Sequence, residues 1–125
     1  MGELKTLFFD NYAFYEIING NDNYKKYQNG INIVTTKLNL MELHYGLILS
    51  YGKEIADKYY DLFVPFVIEI NDEIIKLANE FRFQHKKKKL SYVDCIGYTL
   101  ANSRNIKFLT GDKEFEKMYN VEFVK

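Results

Sequence analysis

Short apolar runs bounded by polar or turn-forming residues alternate, along almost the whole chain, with longer runs whose apolar residues recur at helical spacing. This alternation constrains the fold more than any other feature. Strand, helix and strand in succession form the repeating unit of a mainly parallel sheet with helices on both faces. Strands are expected at residues 4–9 (LKTLFF), 32–35 (NIVT), 64–70 (VPFVIEI), 106–110 (IKFLT) and 121–124 (VEFV). Pro65 stands at the start of the third, where a missing N–H is tolerable. Helices are expected over 11–19, 37–51, 53–62, 72–86 and 91–105, with a short one at 112–119. The polar segment after Gly20 has room for one more short helix. Gly52 stops the second helix, Asn71 or Asp72 caps the one at 72, and Ser91 opens the one at 91.

With 125 residues, the chain fits one domain over 1–125, and 47% apolar residues suffice for a packed core. One proline and seven glycines leave no linker, and no repeat is visible. Seventeen basic and seventeen acidic residues balance, so any nucleic-acid affinity must come from local clusters. Cys95 is alone, which rules out a disulfide framework and a cysteine zinc site and suits a reducing setting. The start, MGELKTLFF, lacks a signal-peptide apolar stretch. No apolar run approaches the ~20 residues of a membrane span. The expectation is a cytoplasmic chain with no membrane partner.

In a parallel sheet, ligands bind outside the carboxyl ends of the strands, where strand order reverses. In KTLFFDNY an apolar strand runs into Asp10, at such an end. In FLTGDKEF a strand runs through Thr110 and Gly111 into Asp112, and the arrangement repeats. Each acid has a simple alternative role as a turn or helix-cap residue. Asp94, three residues after Ser91, resembles the acid of a capping box. Its helical neighbours Gly97 and Ala101 are small and would let this face approach other backbone closely. Glu42 has Leu38, Tyr45 and Leu49 at helical spacing, so it is expected along or beside a buried apolar stripe, or snorkelling to water from its edge. Four acids at one end of a sheet would repel each other unless a cation sits among them. Oxygen ligands alone suit magnesium or manganese. His44 and His85 are isolated and read as structural or solvent-facing. Cys95 reads as a small buried residue without a histidine partner.

HKKKKL, just before the helix that carries Asp94, places Lys86, Lys87, Lys88 and Lys89 where they could hold RNA phosphates or simply complement a helix end. Most aromatics fall at core spacing. Tyr12 and Tyr92, next to two candidate acids, are the exceptions considered for contact with RNA.

FFDNYAFYEII, LNLMELHYGL, KLSYVDCIGYTLA and FLTGDKEFE, in this order and at these spacings, resemble the PIN-domain ribonucleases, especially the small single-domain VapC-type toxins of prokaryotes. The resemblance covers essentially the whole chain. It implies a PIN-like three-layer α/β fold, with a twisted, mainly parallel sheet of four to five strands and helices on both faces. It also implies an acidic pocket of Asp10, Glu42, Asp94 and Asp112, with Thr110 in support, and a metal-dependent endoribonuclease. Homodimerisation and inhibition by a small antitoxin protein are further implications. One departure is Tyr12, where many members carry a small hydroxyl residue or Asn; here Asn11 directly follows Asp10 and is expected to support the site.

On this reading Asp10 and Asp94 face the metal, Glu42 and Asp112 hold it or its waters, and a bound water attacks the phosphodiester in line. The alternatives are an RNA-processing PIN nuclease, a PIN protein that binds RNA without cutting it, and a phospho-receiver-like signalling domain. The last usually has paired acids after its first strand and an acceptor aspartate directly after its third. Here Asp10 is followed by Asn11 and Tyr12, and Asp72 reads as a helix-start residue.

Overall fold

The computed structural model describes residues 4–125; Met1–Glu3, the first residues of the stretch read for a leader, lie outside the described residues. The chain runs β1 (Lys5–Phe9), α1 (Asn11–Ile18), a 3-10 turn (Asp22–Tyr27), β2 (Ile31–Val34), α2 (Lys37–Tyr51) and α3 (Lys53–Phe63). A 3-10 turn (Val64–Phe66), α4 (Asp72–Gln84), α5 (Tyr92–Ser103), β3 (Lys107–Thr110), a last 3-10 turn (Lys113–Phe115) and β4 (Val121–Phe123) follow. The strands form one sheet in the order β2-β1-β3-β4. Every pairing is parallel, with Leu7 opposite Ile33 and Lys107, and Phe108 opposite Val121.

The apolar runs in β1 and β3 have no polar alternation because the sheet is covered twice. Leu7, Phe9 and Leu109 point into one core, with Ala13, Phe14, Leu40, Leu43, Leu47 and Phe63 from α1, α2 and α3. Phe8 and Phe108 point the other way, stacked on each other, into a second core with Ile74, Ala78, Cys95, Tyr98 and Leu100 from α4 and α5. The result is three layers, with the sheet between α1, α2 and α3 on one face and α4 and α5 on the other.

Two expected elements differ. The segment 64–70 is not a strand. Helix α3 runs on into the 3-10 turn Val64–Phe66, helped by Pro65, whose fixed φ suits it. The segment then meets the sheet edge in one isolated bridge, Val67 opposite Thr35 beyond β2, made by the Phe66 carbonyl and the Ile68 N–H. Its apolar side chains are divided: Phe66 and Val67 pack on the first core, Ile68 and Ile70 on the second. The segment carries the chain from one face of the sheet to the other around the edge, so it cannot also run along that edge. The sheet therefore has four strands. The short helix expected at 112–119 is a single 3-10 turn.

Strand order reverses between β1 and β3: β2 lies on one side of β1, and β3 and β4 on the other. The crevice that this reversal leaves, outside the carboxyl ends of β1 and β3, is where Asp10 and Thr110 stand.

Candidate active site

Asp10 occupies the N-cap position of α1, but its side chain makes no capping hydrogen bond. Its Oδ2 instead accepts from Thr110 Oγ1 at 2.7 Å, across a hundred residues of chain. The residue is only 4% exposed. Burial above all, then the negative charge of Asp94, push its pKa up to about 7, with a smaller push from Asp112. The Thr110 hydroxyl and the Asn11 backbone N–H pull it partly back. Capping alone therefore does not account for Asp10.

The other acids are each tethered by one oxygen. Asp94 Oδ2 accepts from the Ser91 backbone N–H at 3.0 Å, and the Ser91 hydroxyl accepts from Asp94 N at 3.0 Å. This is the reciprocal capping box that opens α5. Asp112 Oδ1 caps the last 3-10 turn through Glu114 N at 3.0 Å, and Asp112 N donates to Thr110 Oγ1 at 3.1 Å. Glu42 Oε1 accepts from Asn11 Nδ2 at 2.9 Å. In these three the second carboxylate oxygen accepts no hydrogen bond among the described residues. Capping therefore does not exclude a ligand role for Asp94 or Asp112: the cap holds one oxygen and leaves the other unengaged.

Gly111 allows the Thr110–Asp112 corner to form. A Cβ there would lie 2.4 Å from the Val124 carbonyl oxygen and 2.3 Å from the Tyr12 ring. Gly97 brings α5 down onto the sheet, but its close neighbours are the rings of Phe8 and Phe108 rather than backbone. Glu42 takes the exposed edge position that was one of its two expected places, but the stripe expected beside it differs. Helix α2 buries Asn39, Leu40, Leu43 and Leu47. Tyr45 and Leu49, expected to mark the buried stripe, are 65% and 71% exposed. Apolar residues lie on every side of α2, so their spacing did not reveal which face is covered. Glu42 itself is exposed and reaches the site from its rim.

The four acids sense one another. Asp94 has its pKa raised first by burial, against the pull of its Ser91 contacts, with Asp112 and Glu42 adding to the rise. Among the described residues no three acidic, histidine or cysteine side chains are gathered tightly enough to hold a bare ion. The donor set fits a hard, hydrated cation, which keeps several waters and is bound through one or two carboxylates and substrate phosphates. Asp10 and Asp94, mutually repelling and desolvated, would hold it, with Glu42 and Asp112 at its waters.

Behind the acids lies a buried polar chain, in which Asn11 was expected as a support of the site and Thr36 and Asn39 were missed. Thr36 Oγ1 donates to Asn39 Oδ1 at 2.6 Å, Asn39 Nδ2 donates to Asn11 Oδ1 at 3.4 Å, and Asn11 in turn donates to Glu42. Asn39 and Asn11 are 1% and 7% exposed. The available signal was a polar residue at a core position three residues before Glu42. Tyr12 lies half-buried against Gly111 and Tyr24, so its ring is engaged in packing. Tyr92 is open at the start of α5, with Arg82 over its ring. Lys86, Lys87, Lys88 and Lys89 are all exposed in the turn after α4. His44 binds Asp57 between α2 and α3, and His85 sits at the end of α4 against the Phe81 carbonyl, both away from the acids. Cys95 is buried, which pushes its thiol up to about 11. Among the described residues no helix is long and apolar enough to cross a membrane.

Residues 7–121 match the family model of the PIN domain. No curated protein matches the sequence. Among solved structures, the fold is similar to VapC20 of Mycobacterium tuberculosis, described as a sarcin–ricin loop cleaving toxin, at TM-score 0.80 and 16% identity over 95% of this chain and 99% of that one. A toxin–antitoxin complex from Klebsiella pneumoniae gives 0.73 and 18% over 93% and 95%. VapBC2 from Rickettsia felis, bound to a DNA fragment from its promoter, gives 0.70 and 22% over 95% and 97%. At these identities the likeness is one of fold.

Proposed function

The chain belongs to the PIN-domain family, and on that premise we propose that it is a magnesium- or manganese-dependent endoribonuclease, the toxin of a toxin–antitoxin pair, working as one domain over 1–125. The observation that carries the proposal is Asp10, buried at the β1–β3 reversal beside the charges of Asp94 and Asp112, which with burial push its pKa up to about 7, while Glu42 reaches in from the rim through Asn11. A bound divalent cation would polarise the scissile phosphate and acidify an attacking water. Asp10 and Asp94 supply the negative charge that holds it. Thr110 and Ser91 keep those two carboxylates in fixed orientations. Glu42, steadied by Asn11, and Asp112, fixed by its own turn, orient waters with their unengaged oxygens. The toxin role draws on the likeness to a loop-cleaving toxin and to a toxin–antitoxin complex. It brings with it an RNA substrate, a small antitoxin protein as partner, a homodimer and a cytoplasmic setting. A phospho-receiver role loses its main support because the segment before Asp72 is not a strand.

The test is cleavage of a mixed single-stranded and structured RNA pool in magnesium, manganese or EDTA, by wild type and Asp94→Asn. Cutting should need the metal and fall by at least about a hundredfold in the variant. The variant should still fold, because an asparagine oxygen can still accept from Ser91 N. Equal cutting by both proteins would remove Asp94 from the mechanism. No cutting by a folded, inhibitor-free wild type would favour an RNA-binding role without cleavage.

A further inference from the structure

We propose that the cleft between the last turns of α4 and the turn that leads on to α5 is a subsite for single-stranded RNA, holding a backbone phosphate that flanks the cut. This rests on the ribonuclease reading and gives it a substrate path. The cleft has a volume of about 250 Å³ and is lined by Asn79, Arg82, Phe83, Lys86, Lys88 and Leu90. Three of those six are cations and none is an acid. None of the three cations forms a salt bridge among the described residues. An uncompensated basic concavity is a site for phosphate.

Arg82 is the built part of the site. Its Nε donates to the Leu90 carbonyl at 3.3 Å, and its guanidinium carbon lies 4.1 Å from the centre of the Tyr92 ring. Those two contacts hold the planar fork still, while its terminal nitrogens have no hydrogen-bond partner among the described residues. A fork held this way matches two phosphate oxygens. Lys86 lies over the Phe83 ring at 4.9 Å. Phe83 and Tyr92 are 69% and 60% exposed, two aromatic rings standing in water beside cations. Cations that track a backbone next to rings on which bases stack are the makings of a single-strand groove.

Residues of the cleft also touch the two segments that carry Asp94 and Asp112. Tyr92 is the first residue of α5, two positions before Asp94. Lys88 Nζ donates at 3.3 Å to the carbonyl of Glu114, in the turn that Asp112 caps. A strand seated in the cleft would therefore lie against the two segments that carry these carboxylates. Complementing a helix end could explain Lys87 and Lys89, which do not line the cleft. Arg82, in the last turn of α4, also complements that helix end, but its fork is in addition oriented by Leu90 and Tyr92.

The experiment measures anisotropy of a labelled single-stranded oligoribonucleotide in EDTA, where nothing is cut, across a range of salt. Lys86→Gln/Lys88→Gln should weaken binding about tenfold or more and lower the salt slope by about two, and Arg82→Gln should weaken it comparably. Lys87→Gln/Lys89→Gln removes the same charge from the same turn and should cost less than about threefold. Equal losses for the two lysine pairs would mean diffuse charge and overturn the subsite, as would a wild type that binds no oligonucleotide. Should Arg82→Gln fail to fold, the two lysine pairs decide alone. Wild type that binds through the cleft but never cuts sinks only the nuclease reading. Wild type that cuts, with cleft variants that bind and cut equally well, sinks only the subsite.

Discussion

Replacing Asp10 with asparagine should make the metal-free protein more stable, although the residue is proposed as a metal ligand. Burial lifts the Asp10 carboxyl from its ordinary 3.8 to about 7 in the fold. A raised folded pKa means that the group's stability contribution is fully present below the unfolded value. It is lost as pH rises through the folded one. At ~1.4 kcal/mol per pKa unit, ionising Asp10 costs the fold about 4 kcal/mol. Asp94 and Asp112 share part of that cost, so about 2–4 kcal/mol is expected from this one substitution. The asparagine side chain removes the charge and keeps an oxygen for the Thr110 hydroxyl. In EDTA, thermal or urea melts of wild type and Asp10→Asn should coincide near pH 4. They should diverge up to about pH 7 and stay apart above it. The plateau gap should correspond to roughly 10 °C in melting temperature. Manganese should close most of the gap: at a hundred times its Kd it adds about 2.7 kcal/mol to wild type and much less to the variant. A variant no more stable than wild type above pH 7 in EDTA, or a gap that ignores pH, refutes the claim that an uncompensated buried charge defines this site.

Two other substitutions probe the supports. Thr110→Val removes the donor at 2.7 Å from Asp10 and the acceptor at 3.1 Å for Asp112 N. The pH–rate profile of cleavage should move alkaline, and urea melts should show a loss of about 1–2 kcal/mol; an unmoved profile would detach Thr110 from Asp10. Asn39→Leu leaves the Asn11 amide oxygen and the Thr36 hydroxyl without their buried partner. It should cost about 1–3 kcal/mol in urea melts and lower cleavage less than Asp94→Asn does. A loss of cleavage equal to that of Asp94→Asn would make Asn39 more than a support.

Helix boundaries were legible because their signals are local. Thr36, Asn71 and Ser91 each accept from a backbone N–H three residues on, and Gly52 ends α2 at φ 90°. The segment 64–70 was not legible as a connector, because an apolar run says that side chains will be covered but not by which layer. The buried face of α2 was misread for a related reason: on a helix apolar all round, periodicity cannot choose a face. Arg82 gave no signal at all, being one basic residue before a lysine run.

The sequence by itself determined the helices α1 to α5, that β1 and β3 are buried on both faces, and that an acid follows each of them. These are consequences of caps, of spacing within a turn or two, and of turn chemistry, interactions whose range is a few residues. Only the tertiary structure decided that Asp10 meets Thr110 across a hundred residues. It also decided that Glu42 is held by Asn11, that capping leaves one oxygen of Asp94 and of Asp112 unengaged, and that the lysine turn closes a cleft around Arg82. Those depend on which strands become neighbours, and strand order is set by how two separate cores pack around one sheet rather than by any local run of residues.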